Sequence, residues 1–362
     1  MKASLFCNAQ YMGSAPHDIW PLTGKYYDPK VGVESFQIAL DQFRLADEFG
    51  FDWVTVAEHH YSPASLSPNP MVLAAALCQV VRRAKIAILG PTVPILNPVR
   101  VAEELAMIDV MSGGRLVAGM MRGAPNEYMA YNINPAESRE RFAEAVDLIR
   151  RSWTEQEPFG WIGRYYDYPA VSLWPRPVQN PHPPMFMSAS SPEAGEFAAR
   201  NHMGVGFAFT TVPNAKKSVT HYRNCARAAG WEPAPENVIY RAHFHIAETD
   251  EQAFADMATL PPRVDLTLNN KALKEAVSKS GYYGADIEGQ TQRSATRQLA
   301  ERIELGQIIV GSPETAIKQV RRIRDELGAG VIDLFVGVQL GERTMRSIEL
   351  FGSKVLPHVH EF

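Results

Sequence analysis

The chain has 362 residues, 46% hydrophobic and 21% charged, and its 36 basic against 40 acidic side chains leave a formal charge of −4. That balance is too apolar for a disordered chain, and without a Lys/Arg run it argues against nucleic acid as a partner. Cys7, Cys78 and Cys225 are too far apart for a disulfide framework or a C-x-x-C zinc spacing, so no metal site is expected.

At roughly 150 residues per domain the length suggests two domains, but a single α/β barrel commonly reaches it. The longest nearly uncharged apolar run, Met71 to Val81, falls far short of a membrane span. Ala3 to Cys7 is too short for a signal-peptide core, and a soluble cytoplasmic protein is expected.

In chain order, short apolar runs alternate with longer amphipathic ones. Ala3–Cys7 reads as a strand and Glu34–Phe49 as a helix, with Phe36, Leu40, Phe43 and Ala46 at helical spacing. Strands are expected at Trp53–Ala57, Lys85–Gly90, Arg115–Met120, Pro184–Ala189, Gly204–Phe209, Val238–Ala247 and Val331–Val338. Between them, helices are expected at Pro70–Arg82, Pro98–Met111, Ser138–Trp153, Pro192–Asn201, Asn214–Ala229 and Pro313–Leu327, with a last one near Arg343–Leu356.

Eight strand–helix units call for parallel pairing with helices outside, because each crossover must return the chain to the same end. A single (β/α)8 TIM barrel over residues 1–362 is the economical reading, with a doubly wound open sheet as its rival. Insertions are expected after strands one, four and seven, at residues 9–33, 158–184 and 259–306. The second holds seven prolines and reads as a small β excursion followed by extended chain. In a barrel the first and last border the catalytic face.

Three constellations carry chemical potential. Glu58-His59-His60 closes strand two, where alternation lets only one of the two histidines face the barrel mouth. A histidine there can hold or move a proton, and a hydrogen-bonded cap of the strand end is an equal reading. Arg122 follows strand four, where its guanidinium can bind a phosphate or form an ordinary rim ion pair. Ser188-Ala189-Ser190-Ser191-Pro192-Glu193-Ala194 closes strand five and opens a helix, which makes an anion pocket or a plain N-cap. No G-x-G-x-x-G, Walker loop, G-x-S-x-G or H-E-x-x-H motif is present, so no NAD(P) site is visible.

These segments resemble, in the same order, the bacterial luciferase-like flavin-dependent monooxygenases. The resemblance rests on Glu58-His59-His60, Asn97-Pro98-Val99-Arg100, the Asp109 to Arg115 stretch, Arg122-Gly123, Ser138 to Glu144 and Val310-Gly311-Ser312-Pro313-Glu314. It implies a TIM barrel that binds reduced FMN at its mouth, supplied by a separate NAD(P)H-dependent flavin reductase. It further implies insertion of one oxygen atom from O2 into an apolar aldehyde, cyclic ketone, terpenoid or aromatic through a 4a-peroxyflavin.

By the same resemblance His59 stands beside the flavin ring and acts in proton transfer. Arg122, Ser190 and Ser191 contact the phosphate, with Arg139 or Arg141 as a further cation, and Leu89-Gly90 forms a cis peptide behind the ring. Ala194 and Met121 replace a phosphate-binding threonine and a reactive cysteine of luciferase. Residues 259–306 match a mobile cover, and a homodimer through helices near Val72–Val80 and Val101–Ile108 is implied. A deazaflavin-dependent hydride-transfer enzyme and a non-enzymatic flavin-binding protein are the alternatives. The aromatics Tyr11, Trp20, Tyr26, Tyr27 and Phe207 or Phe209 are candidates for the pocket wall.

Overall fold

The computed structural model describes residues 1–16, 19–260, 271–280, 297–337 and 339–362. Its strands are β1 (Lys2–Phe6), β2 (Trp53–Val56), β3 (Lys85–Ile88), β4 (Leu116–Gly119), β5 (Phe159–Ile162), β6 (Asp167–Val171), β7 (Met185–Ser188), β8 (Gly204–Ala208), β9 (Val238–Ile246), β10 (Ile308–Gly311) and β11 (Val331–Phe335). Eight of them close a parallel ring in the order β1-β2-β3-β4-β7-β8-β9-β11, with β11 returning to β1 from Lys2 opposite Val331 to Phe6 opposite Phe335. The closed ring is the TIM barrel that the strand–helix alternation predicts.

Around it lie α1 (Pro29–Glu48), α2 (Pro70–Val80), α3 (Pro98–Ser112), α4 (Pro125–Ala130), α5 (Ser138–Thr154), α6 (Pro192–Arg200), α7 (Val212–Ala228), α8 (Asp250–Ala258), α9 (Lys271–Ser280), α10 (Leu299–Glu304), α11 (Pro313–Leu327), α12 (Glu342–Leu350) and α13 (Leu356–His360). No helix among the described residues is long and apolar enough to cross a membrane.

Strand alternation divides the core in two. Trp53, Ala87, Leu89, Val117, Phe186, Ile239 and Val331 form one buried cluster inside the ring. Their neighbours Leu5, Val54, Val56, Ile86, Ile88 and Leu116 join the larger core shared with the helices. Polar pairs cross the barrel interior: Ser4 Oγ lies 2.7 Å from Thr55 Oγ1, and Arg241 Nε donates to Asp333 Oδ2 at 2.6 Å. The Arg241 guanidinium also covers the Phe6 ring at 3.5 Å.

Several local features depart from the sequence reading. Helix α1 starts at Pro29, not Glu34, because Asp28 caps it by accepting from the Lys30 amide at 2.8 Å. Helix α4, which opens on Pro125 at its first helical position, is a further element absent from the sequence reading. Strand β10 was not expected either: it pairs with the end of β9, from Ile308 opposite His243 to Gly311 opposite Ile246. It takes up β9 beyond Arg241, where the pairing with β8 stops. The last helix is broken by a π turn at Phe351–Val355.

The second insertion contains the expected β excursion, an antiparallel β5–β6 hairpin. The Glu144 carboxylate of α5 pins it by accepting from the Arg164, Tyr165 and Tyr166 amides and from Trp161 Nε1. Asp109, fully buried, accepts from the Val178 and Gln179 amides and ties the returning chain to α3. Most of 259–306, and with it the expected cover, lies outside the described residues.

Candidate active site at the barrel mouth

The Glu58-His59-His60 triplet leaves the barrel directly after β2 and sends its three side chains to different places. Glu58 is buried; its Oε1 lies 3.0 Å from His60 Nε2, and its Oε2 accepts from the Thr92 amide at 3.1 Å. His60 is also buried, its carbonyl accepts from Trp20 Nε1, and its ring packs 4.9 Å from Tyr131. His60 is therefore the strand-end cap, and His59 is the histidine left half-exposed.

His59 Nδ1 lies 3.1 Å from Glu127 Oε1 on α4. Glu127 is almost fully buried; its Oε1 also accepts from Asn126, while Oε2 stands 3.7 Å from His60 Nε2 and has no hydrogen bond. A carboxylate at Nδ1 fixes the imidazole orientation and leaves Nε2 as the nitrogen for proton exchange. Burial works against a charge on His60, but the Glu58 hydrogen bond and the Glu127 and Glu58 charges outweigh it and hold its pKa above the ordinary 6.5.

Two strands round the ring from β2, Arg122 follows β4. Its carbonyl accepts from the Tyr128 hydroxyl, and its Nη1 donates to Ser138 Oγ at 3.3 Å. The next residue, Gly123, has φ +86°, a conformation that glycine adopts without strain. Ser191 caps α6 by accepting from the Ala194 amide at 3.3 Å, and Ser190 is exposed beside it.

Glu193, in the first turn of α6, is 3.7 Å from Arg139 Nη1. Its carboxyl is held below the usual range by its own amide and the Ser191 hydroxyl, with the Arg139 and Arg122 charges adding to the effect. Arg122, Arg139 and Ser191 thus act together on a carboxylate, with Ser138 holding the Arg122 guanidinium. Arg141 does not join them: its Nε donates to Glu137 at 2.9 Å and its guanidinium lies over Tyr165.

Leu89 and Gly90 follow β3 between these two groups. The cis peptide bonds among the described residues all precede proline, so Leu89–Gly90 is trans, contrary to expectation. A non-prolyl cis bond costs about 3–4 kcal/mol. Here close approach comes from the missing side chain, since a Cβ on Gly90 would stand 2.5 Å from Ala57 Cα and 2.6 Å from the Glu58 amide.

An aromatic floor completes the mouth. Phe209, with φ +56°, packs at a tilt on His243 at 5.0 Å and edge-on to Phe335 at 5.3 Å, and Phe335 packs on Phe6 at 4.8 Å. Phe207 joins the outer core instead. Tyr11 and Trp20 are buried, whereas Tyr26 and Tyr27 are half-exposed. Glu127 and the Arg241–Asp333 pair were not singled out in the sequence, because no motif marks them. Glu193 lies within the Ser188 to Ala194 segment, but the segment alone does not show its carboxylate meeting Arg139.

A family model described as luciferase-like monooxygenase matches residues 11–330. The oxygenase component of a flavin-dependent trigonelline monooxygenase from Acinetobacter baylyi is 25% identical over 231 residues, 62% of this chain and 63% of that protein. A 4-hydroxyprotoasukamycin monooxygenase from Streptomyces nodosus subsp. asukaensis is 27% identical over 86% of this chain and 83% of its own length. An FMNH2-dependent dimethylsulfone monooxygenase from Pseudomonas putida is 27% identical, with coverages of 90% and 84%.

Among solved structures, the monooxygenase RslO1 from Streptomyces bottropensis superposes with a TM-score of 0.76 at 26% identity over 99% of both chains. The oxygenating constituent of 3,6-diketocamphane monooxygenase from Pseudomonas putida, solved with FMN, gives 0.76 at 18% identity over 99% and 98%. An F420-dependent secondary alcohol dehydrogenase gives 0.71 at 17% over the same shares. The last two establish a common fold.

Proposed function

This chain belongs to the luciferase-like monooxygenase family, and from that premise we propose that it is the oxygenase component of a two-component, FMN-dependent monooxygenase. It would insert one oxygen atom of O2 into an apolar organic substrate, the other leaving as water. Reduced FMN, when bound, supplies the two electrons that activate O2. A separate NAD(P)H-dependent reductase would deliver it, in keeping with the absence of a dinucleotide fingerprint in the sequence.

The observation that carries this reading is the anion site in the same mouth as the His59–Glu127 pair. Arg122, Arg139, the Ser191 hydroxyl and the amides of the first turn of α6 already gather around the Glu193 carboxylate. A phosphate group suits the same donors better, since it offers more acceptor oxygens and greater charge. Glu193 is largely exposed and free to swing towards solvent. Ser190 stands beside this group as a further hydroxyl, and Arg141 has no part in it.

Leu89 and Gly90 would back the ring, and His59, oriented by Glu127, would hold or move a proton at Nε2. Phe6, Phe209 and Phe335 exclude water from the floor, which favours an apolar substrate. Val72 of α2 and Met107, Val110 and Met111 of α3 form an exposed apolar face that suits a homodimer. Val101 and Ile108, by contrast, are buried within the monomer.

The test is anaerobic titration of the protein with reduced FMN and, separately, a reduced deazaflavin, followed by oxygen and a panel of apolar substrates. Product formation matched to oxygen uptake with FMN alone supports the proposal. Substrate reduction or oxidation with the deazaflavin, without oxygen uptake, overturns it in favour of hydride transfer. Flavin binding with no turnover of any substrate favours a binding protein.

A further inference from the structure

Away from the mouth, on the outer layer, three side chains of metal-ligand type converge. His221 and Cys225 lie four residues apart on α7, hence on one face, and Glu196 reaches them from α6. The two helices pack on one another, and Gly195 of α6 faces α7, where a Cβ would stand 3.5 Å from His221 Cδ2 and 3.8 Å from Tyr222 Cα. His221 Nε2 lies 3.4 Å from Glu196 Oε1 and 3.6 Å from Cys225 Sγ, and all three donor atoms fall within 4.8 Å of one another.

Both contacts fall on the same ring nitrogen. A relay that activates a cysteine engages the two imidazole nitrogens separately, one towards the thiol and one towards the acid, so this is no such relay. The spacing instead matches the edges of a coordination tetrahedron. Zinc bonds of about 2.3 Å to sulfur and about 2.0–2.1 Å to nitrogen and oxygen put N and S roughly 3.6 Å apart and N and O roughly 3.4 Å apart.

We propose that Glu196, His221 and Cys225 form a three-ligand site for a divalent transition metal of the Zn2+ type, clipping α6 to α7. A thiolate, an imidazole and a carboxylate select Zn2+ or Co2+ over the hard ions Mg2+ and Ca2+. All three residues are only partly buried, so the fourth position opens to solvent and admits a water. Cys7 and Cys78 are buried, which makes Cys225 the thiol that an incoming metal can reach. The clip sits one turn beyond Glu193, on the helix whose first residues border the barrel mouth.

The test uses the full-length protein, stripped with a chelator and titrated with Co2+. A thiolate-to-cobalt charge-transfer band in the near ultraviolet should grow to one equivalent and be bleached by Zn2+. Cys225→Ser should abolish the band, and His221→Ala and Glu196→Gln should each weaken Co2+ binding by about tenfold or more. Zn2+ should raise the melting temperature of the wild type and leave that of Cys225→Ser unchanged. Absence of the band at excess Co2+, or its survival in Cys225→Ser, overturns the proposal. So does unaltered affinity in both other variants, whose positions at the surface leave folding intact.

Discussion

Glu127→Gln separates positioning of His59 from stability. The carboxylate is buried, accepts from His59 at 3.1 Å and Asn126 at 3.0 Å, and keeps Oε2 without a hydrogen bond. Glutamine preserves the shape and still accepts from His59, but the bond loses its charge. Charge-assisted hydrogen bonds contribute about 1.5–3 kcal/mol against about 0.5–1.5 for neutral ones. The difference of about 1–1.5 kcal/mol corresponds to roughly five- to twelvefold in rate.

Stability should hold, because removing the charge also relieves the cost of burying Oε2. In stopped flow, with reduced FMN and oxygen, the variant should reoxidise bound flavin five to twelve times faster, by that arithmetic roughly, and release more hydrogen peroxide per turnover. FMN affinity should stay within about twofold, because the substitution removes none of the phosphate donors. A folded variant whose reoxidation rate and peroxide yield match the wild type would refute the positioning role.

Glu193→Gln removes a negative charge from the anion site and should tighten FMN binding by about three- to eightfold in isothermal titration, as expected for a unit charge near a dianion in a solvent-rich setting. A variant that binds more weakly would show that Glu193 helps to hold the ligand. Gly90→Ala drives a Cβ into the Ala57 and Glu58 backbone, which cannot swing away, and should cost about 1–3 kcal/mol in denaturant unfolding. An unchanged midpoint would contradict the close approach. His60 has a raised pKa, so its ion pairs contribute fully below its ordinary 6.5 and are lost as pH rises through the higher folded value. The wild type should therefore lose more stability than His60→Gln between about pH 6 and pH 8, and equal losses would contradict the assignment.

Much of the scaffold was legible because the period changes from two to 3.6 at each strand–helix junction. Helix α11 coincides with the expected Pro313–Leu327 at both ends, where Ser312 caps it and Gly328 closes it with φ +62°. Strand β10 escaped because four apolar residues beside a polar stretch carry no period of their own. Helix α4 is too short for a periodic signal, and with it Glu127 was lost as the partner of His59.

The choice between Arg139 and Arg141 depended on helix phase. Two residues on a helix differ by about 200° in direction, so only one can face α6. Sequence alone does not orient α5 about its axis; packing of Phe142, Val146 and Ile149 does. His221 and Cys225 share a readable spacing, whereas Glu196 joins them only through the packing of α6 on α7. The geometry at Gly90 was misjudged because a missing side chain and a cis bond both bring backbones close, and the sequence shows only the glycine.

The central claim is that the phosphate of a bound flavin sits among Arg122, Arg139 and Ser191. Anaerobic affinities for reduced FMN and reduced riboflavin, which differ only in that phosphate, test it most directly. Two guanidinium contacts of about 1.5 kcal/mol or more each predict FMN binding on the order of a hundredfold tighter than riboflavin. Equal affinities would place the phosphate elsewhere and contradict the account.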